Sequence, residues 1–286
     1  MIYIFTALYC EAQSLISCYH LTKATGITKF QVFTNEEEGL CLTVTGTGNI
    51  AAAVAVTNVC TVFGAGKNDF LINYGICAGK SGEKNICLGE IFLCNELVEE
   101  STCRVFYPDI IYKHDFREAE IITGENVAET LMSEVRGKNI VLYDMEASAV
   151  YQAGAYFFAP HQMSFLKVVS DYGDTSSVTK EKVSQLTDKH LEEIASYIAR
   201  LRQVQKESEL GGALDENTMK LFYKLCEDMH CSKVMEQSLM QHLKYCVLAD
   251  MDYHKAVEEM YREEKLPCRD KREGKKCLEE LKQRLL

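Results

Sequence analysis

The sequence predicts an α/β sandwich, a sheet with helices on both faces, followed by a small helical appendage. Three observations carry this. Up to about Arg202, short apolar β-branched runs alternate with stretches at helical spacing. A chain of 286 residues, 47% hydrophobic and 26% charged, is large enough to bury a sheet on both sides. From Leu214 onward no strand pattern occurs.

Residues 2–8 read as a first buried strand and 11–19 as a helix. Residues 30–34 and 40–45 read as a strand pair. Residues 49–63, rich in Ala and Val and opening after Gly48, read as a buried helix. Strands are expected at 70–74 and 86–96 around a Gly-rich turn, and again at 118–122 and 140–144. A helix over 146–158 stops before Pro160, because the residue ahead of a proline avoids helical backbone. Residues 163–170 form a last strand and 180–202 a long amphipathic helix. The polar stretch 206–212 ends in Gly211-Gly212 and reads as a linker, giving a domain over 1–205 and a helical extension over 206–286. In the extension, Leu221, Leu225 and Met229, then Val234, Leu239, Leu243 and Val247, recur at helical spacing. Pro267 breaks that run before a charged helix over 273–286. Leu221, Leu239 and Leu243 need cover, expected from the domain or across a homodimer.

The net charge of −11 argues against a nucleic-acid-binding surface, because phosphate contacts need clustered Lys and Arg. A small nucleotide in a pocket is untouched by that argument. No apolar run is long enough to span a bilayer, so no membrane partner is expected. The start, Met1-Ile2-Tyr3-Ile4-Phe5, has neither a basic leader nor a small-residue cleavage site. The 13 cysteines include no Cys-x-x-Cys pair, and many fall in apolar stretches, as at Cys10, Cys60, Cys77 and Cys94. Disulfides belong to oxidising compartments, so a reducing cytoplasm with cysteine as a small core residue is expected. Cys226, His230 and Cys231 read as helical core packing in preference to a metal site. Neither a metal nor a cofactor is expected.

Three segments place carboxylates where a buried strand ends: Leu8-Tyr9-Cys10-Glu11, Asp144-Met145-Glu146-Ala147-Ser148-Ala149, and Lys167-Val168-Val169-Ser170-Asp171. In α/β sheets ligands bind beyond the carboxyl ends of strands. Acids gathered there repel one another, which raises at least one pKa and suits a general acid. Each segment also has a plain structural reading. Glu11 is a first-turn acid favoured by the helix dipole, and Asp144 and Asp171 are caps.

The second segment resembles the Glu-Met-Glu-Ala-x-Ala signature of the nucleoside phosphorylase and nucleosidase superfamily. Val168-Val169-Ser170-Asp171 resembles the strand end bearing that family's catalytic Asp. Asn73-Tyr74-Gly75-Ile76-Cys77-Ala78-Gly79 is similar to its Asn-Thr-Gly-Ser-Ala-Gly-Gly turn. Thr45-Gly46-Thr47-Gly48-Asn49, with the Ala-rich run after it, is similar to its Ser-Gly-Ile-Gly-Lys segment. The four occur in the family's order, within residues 1 to about 202, and most resemble the 5′-methylthioadenosine/S-adenosylhomocysteine nucleosidase branch. The resemblance implies a three-layer α/β/α sandwich with a central mixed sheet, a homodimer, and a purine nucleoside, in particular a 5′-modified adenosine, as substrate. It implies that Asp171 protonates the purine's five-membered ring and that Glu146 binds the ribose hydroxyls. Met145 would pack on the ribose, Glu11 would orient water, Ser170 would support Asp171, and Thr47 would lie near the 5′ substituent. Leu8, Gly75, Ile76, Lys167 and Val127 complete the expected substrate-binding set. The glycines of Gly46-Thr47-Gly48 lack a phosphate-binding fingerprint, and close backbone approach is their expected reason.

The chain departs from the branch at two positions that organise water there, with Lys167 for Arg and Ile76 for Ser. Asn126-Val127 stands where a base-stacking aromatic is expected, leaving Tyr107, Tyr112 or Phe116 as substitutes. Phosphorolysis needs Arg forks around a dianion. The first Arg in this chain is Arg104, which favours water as nucleophile over phosphate. A binding module that keeps the purine pocket without catalysis is the third reading.

Overall fold

The chain is described as a computed structural model over residues 1–26, 28–79, 86–125, 140–174, 178–212, 215–249 and 251–284. β1 (Ile2–Thr6), β4 (Leu40–Val44), β5 (Phe70–Gly79) and β10 (Met163–Asp171) are near-continuous apolar runs buried along almost their whole length. That is the pattern of parallel strands covered on both faces, and they pair in parallel in the order β4–β1–β5–β10. β3 (Gln31–Asn35) and the short β2 (Thr22–Ala24) extend one flank antiparallel. On the other flank β6 (Ile91–Glu99) runs antiparallel to β10, and β8 (Arg117–Thr123) pairs in parallel with both β6 and β9 (Val141–Asp144). β9 returns antiparallel to β5, so β5, β10, β6, β8 and β9 close a circuit. The short β7 (Arg104–Phe106) pairs antiparallel with β6.

Because side chains alternate along a strand, the mixed sheet feeds two cores. Phe5, Leu71 and Phe165 pack with Ala52, Val56 and Val59 of α2 (Asn49–Val62) and Val150 of α3 (Ala147–Gly154). Ile4, Ile72 and Leu166 pack on the other side with Leu15 of α1 (Tyr9–Cys18) and with Ile198 and Leu201 of α5 (Leu191–Gly212). Leu186 of α4 (Lys180–Asp188) joins that second core. The domain is a three-layer α/β/α sandwich.

Local expectations needed correction. The helix expected over 180–202 is two helices, α4 and α5. Between them His190 Nε2 lies 2.6 Å from the Gly89 carbonyl, and within the last turn of α4 the Thr187 hydroxyl donates to the Val183 carbonyl at 3.1 Å. The expected linker at 206–212 is the end of α5, since a polar run without proline is as able to form a helix as a loop. The Gly-rich turn of 73–79 is the end of strand β5.

The chain divides into two compact units, Met1–Gln205 and Lys206–Leu286. The second contains α6 (Glu216–Asp228), α7 (Lys233–Leu248), α8 (Tyr253–Arg262) and α9 (Lys271–Arg284). Leu225, Leu239, Leu243, Met260 and Leu281 form its own core, and Leu221 packs against it. The cover expected from the domain or a second copy is therefore supplied within the unit. A Cβ on Gly274 would lie 1.8 Å from the Met229 carbonyl oxygen, so α9 closes on the end of α6 only through glycine. Cys226 and Cys231 pack on this core, while His230 Nε2 lies 3.1 Å from the Cys268 carbonyl. Among the described residues no helix is long and apolar enough to cross a membrane.

Candidate active site

β1 ends at Thr6, and the chain turns at Leu8 into α1, carrying Glu11 into the first helical turn. Glu11 is 1% exposed. Its Oε2 accepts the Leu8 N–H at 2.7 Å and its Oε1 the Ile76 N–H at 2.9 Å, which ties α1 to β5. Burial raises its pKa, and the Ile76 and Leu8 N–H groups together with the Lys167 charge oppose that rise. Gly75 makes room: a Cβ there would lie 2.8 Å from Glu11 Oε1.

At the end of β10 the register against β5 shifts. Val169 pairs Cys77, but Asp171 pairs Ala78, so Ser170 is the extra residue. Such an irregularity re-aims side chains, and here it sets Asp171 beside Ala78. The Ser170 hydroxyl donates to Asp171 Oδ2 at 2.7 Å, and the Gly173 N–H donates to Oδ1 at 2.8 Å. Both carboxylate oxygens are held.

β9 ends in Asp144, whose partners are internal. Its oxygens accept the Thr123 hydroxyl at 2.7 Å, the Ala147 N–H at 2.9 Å and Lys167 Nζ at 2.7 Å. The N-cap position of α3 is Glu146, and Asp144, two residues ahead of it, supplies the carboxylate that accepts the first helical N–H. Lys167 is buried; desolvation lowers its pKa, but Asp144, Glu146 and Glu11 outweigh that and keep it protonated. Two residues on, Glu146 Oε1 accepts the Gly48 N–H at 2.7 Å. Burial first, then the Asp144 charge, push the Glu146 pKa up to about 7. Gly46 and Gly48 sit at φ +83° and +99°; a Cβ on Gly46 would make an ordinary contact with Ala51 at 3.7 Å, and one on Gly48 would meet nothing within 4 Å. Their positive φ is by itself a reason for glycine at both positions.

These elements enclose a pocket of about 260 Å³. Glu11, Glu146 and Asp171 all line it, with Leu8, Thr47, Ile76, Met145 and Ser170. Gly75 and Lys167 do not, for the reasons just given. Val127 lies outside the described residues. Tyr112 packs edge-on against Phe70 with centroids 5.4 Å apart, Phe116 packs against Tyr197 at 5.6 Å, and Tyr107 is exposed; none of the three lines the pocket. Ala7, Cys77, Ala78, Tyr143, Asp144 and Val178 line it without having been expected. Cys77 and Ala78 stood in the quoted strand segment and Asp144 in the signature. Tyr143, just before that signature, and Val178 carried no sequence signal.

Three solved structures share this architecture. A 5′-methylthioadenosine nucleosidase from Arabidopsis thaliana superposes with a TM-score of 0.57 and 18% identity over 70% of this chain and 95% of its own. The 5′-methylthioadenosine/S-adenosylhomocysteine nucleosidase from S. pneumoniae, with a transition-state inhibitor, gives 0.57 and 16% over 70% and 99%. The fold is that of the methylthioadenosine nucleosidases. A putative nucleosidase from Borrelia burgdorferi bound to adenine gives 0.55 and 15% over 70% and 100%. No protein-family model matches the sequence, and no curated protein matches it. The nucleosidase fold therefore accounts for nearly the whole length of these structures and about 70% of this chain.

Proposed function

We propose that the pocket cleaves the N-glycosidic bond of a purine nucleoside with water, releasing the base and a free sugar. The observation that carries this is the convergence of Glu11, Glu146 and Asp171 in one pocket with, among the described residues, no cationic side chain in its lining. Phosphate as nucleophile needs such cations, and Lys167, the nearest candidate, is committed to Asp144. In this reading Asp171, fixed by Ser170 and Gly173, delivers a proton to the imidazole nitrogen of the leaving purine. Glu146 accepts the ribose hydroxyls, and its charge favours the oxocarbenium-like sugar. Glu11 orients the attacking water, Met145 packs on the ribose, and Thr47 borders the 5′ position. The substrates that fit this reading are 5′-modified adenosines, supported by the nucleosidase fold and by the neighbour bound to adenine.

The test is base release from 5′-methylthioadenosine and related adenosines, with and without phosphate. Free adenine and reducing sugar at a phosphate-independent rate are expected. Asp171→Asn keeps the shape of the side chain but has no proton to give, so the rate should fall roughly a hundred- to ten-thousand-fold with little change in ligand binding. A sugar 1-phosphate as product would make the enzyme a phosphorylase. Tight nucleoside binding without any base release would make it a binding module.

A further inference from the structure

A purine subsite ordinarily offers the base an apolar face as well as polar contacts, and the ring that supplies it can be traced here. Among the described residues lining the pocket, Tyr143 carries the one aromatic ring. The segments 80–85, 126–139 and 175–177 contain no Phe, Tyr, Trp or His in their sequences. Tyr9 packs against Phe33 with centroids 6.1 Å apart, and the Tyr172 hydroxyl donates to the Ile86 carbonyl at 3.0 Å. Neither lines the pocket.

The register of the sheet gives Tyr143 its place. Tyr143 of β9 is the partner of Ala78 in β5, and Ala78 is the partner of Asp171 in β10. Directly paired residues share one side of a sheet, so the three form a row with the small Ala78 in the middle. Asp171 and Tyr143 are two strand spacings apart, roughly 10 Å. That gap suits a flat heterocycle held between a carboxyl at one end and a ring at the other. Tyr143 is nearly buried, and Val141 and Ile122 pack beside it, so the ring is supported from behind.

We propose that Tyr143 is the aromatic wall of the base subsite, contacting the purine across Ala78 from Asp171. This rests on the nucleosidase reading of the pocket. The contact is made by the ring and not the hydroxyl, so phenylalanine should replace it and an aliphatic side chain should not.

Calorimetric titration with adenine tests this on the full chain, with a base-free iminoribitol as the second ligand. Tyr143→Phe should bind adenine within about threefold of wild type, and Tyr143→Val should bind it roughly ten- to a hundredfold more weakly. Iminoribitol affinity should be the same in all three proteins, since that ligand reaches only the ribose side. If Tyr143→Val fails to fold, Tyr143→Leu, closer in volume, takes its place. In the wild-type complex the ring current of Tyr143 should also move the adenine proton resonances upfield, a reading that needs no variant. Undiminished adenine binding by the aliphatic variant, equal loss of both ligands, or unshifted adenine resonances would each overturn the role of Tyr143 while leaving the nucleosidase reading to stand on Asp171→Asn. Wild-type protein that neither binds adenine nor releases it would overturn both.

Discussion

Glu146 carries conflicting demands. Its proposed role needs the carboxylate, yet burial and the neighbouring Asp144 favour the neutral acid up to about pH 7. Two consequences follow, with opposite signs. The rate constant kcat/KM should rise with pH and level off above an inflection near 7, read from a pH profile of base release. Folding stability should move the other way. The folded state holds the proton more tightly than the unfolded chain, so Glu146 is innocuous below its ordinary value of 4.5 and costs progressively more stability as pH rises towards about 7. The full displacement is worth about 3 kcal/mol. Glu146→Gln should therefore lose activity and, above pH 7, melt at a higher temperature than wild type; an unchanged or lower melting point would refute the burial argument. Lys167 is the reverse case. Lys167→Met leaves Asp144 buried without its cation, and a loss of roughly 3–5 kcal/mol in denaturant titration is expected.

At the scale of elements, the site is made by strand ends and the turns that leave them. Glu11 bridges α1 to β5 through backbone N–H groups, and Gly75 is small because that carboxylate occupies the space its Cβ would fill. Gly75→Ala should displace Glu11 without unfolding β5. Since misplacing a catalytic group by an ångström can cost about a hundredfold in rate, kcat should fall by roughly ten- to a hundredfold while the melting temperature changes little. Wild-type kcat in Gly75→Ala would remove Glu11 from the water-orienting role. The register shift in β10 is the second device. It was invisible in the sequence, because Val168-Val169-Ser170-Asp171 reads as an ordinary strand end whether or not Ser170 is the extra residue. Only the pairing with β5 decides which side of the sheet Asp171 occupies.

At the scale of the whole molecule, two units each own a core. Among the described residues, those that line the pocket all belong to the sheet domain, and the helical unit buries Leu239, Leu243 and Met260 in its own core. The nucleosidase structures match about 70% of this chain over nearly their full length, so the helical unit is an addition to that fold. A chain ending at Gly212 should keep base-release activity within about threefold of the full chain, because none of the described pocket-lining residues is removed and enzymes retain rate when the reacting groups keep their geometry. Loss of activity with an intact far-ultraviolet spectrum would give the helical unit a part in the reaction.

Local pattern determined much of this. Alternating β-branched runs and helical spacing were enough for the layered sheet, because burial on two faces imposes that pattern on any sequence that survives it. Asp144, Glu146, Ser170 and Asp171 stood out because polar residues at the ends of buried strands conflict with their surroundings, and Met145 because it stands within the resembled signature. The tertiary structure alone decided how those residues divide their work. Asp144 lines the pocket but is paired with the buried Lys167 behind it, whereas Glu146 and Asp171 line it held by backbone N–H and hydroxyl groups, although all four looked alike as charges in the sequence. Tyr143 was silent for the same reason: an aromatic residue in a strand is ordinary, and its place in a row with Ala78 and Asp171 depends on strand pairings 65 and 93 residues apart in sequence. Spacing along the chain records which groups are present. Which groups face one another is set by long-range pairing, and no local pattern encodes it.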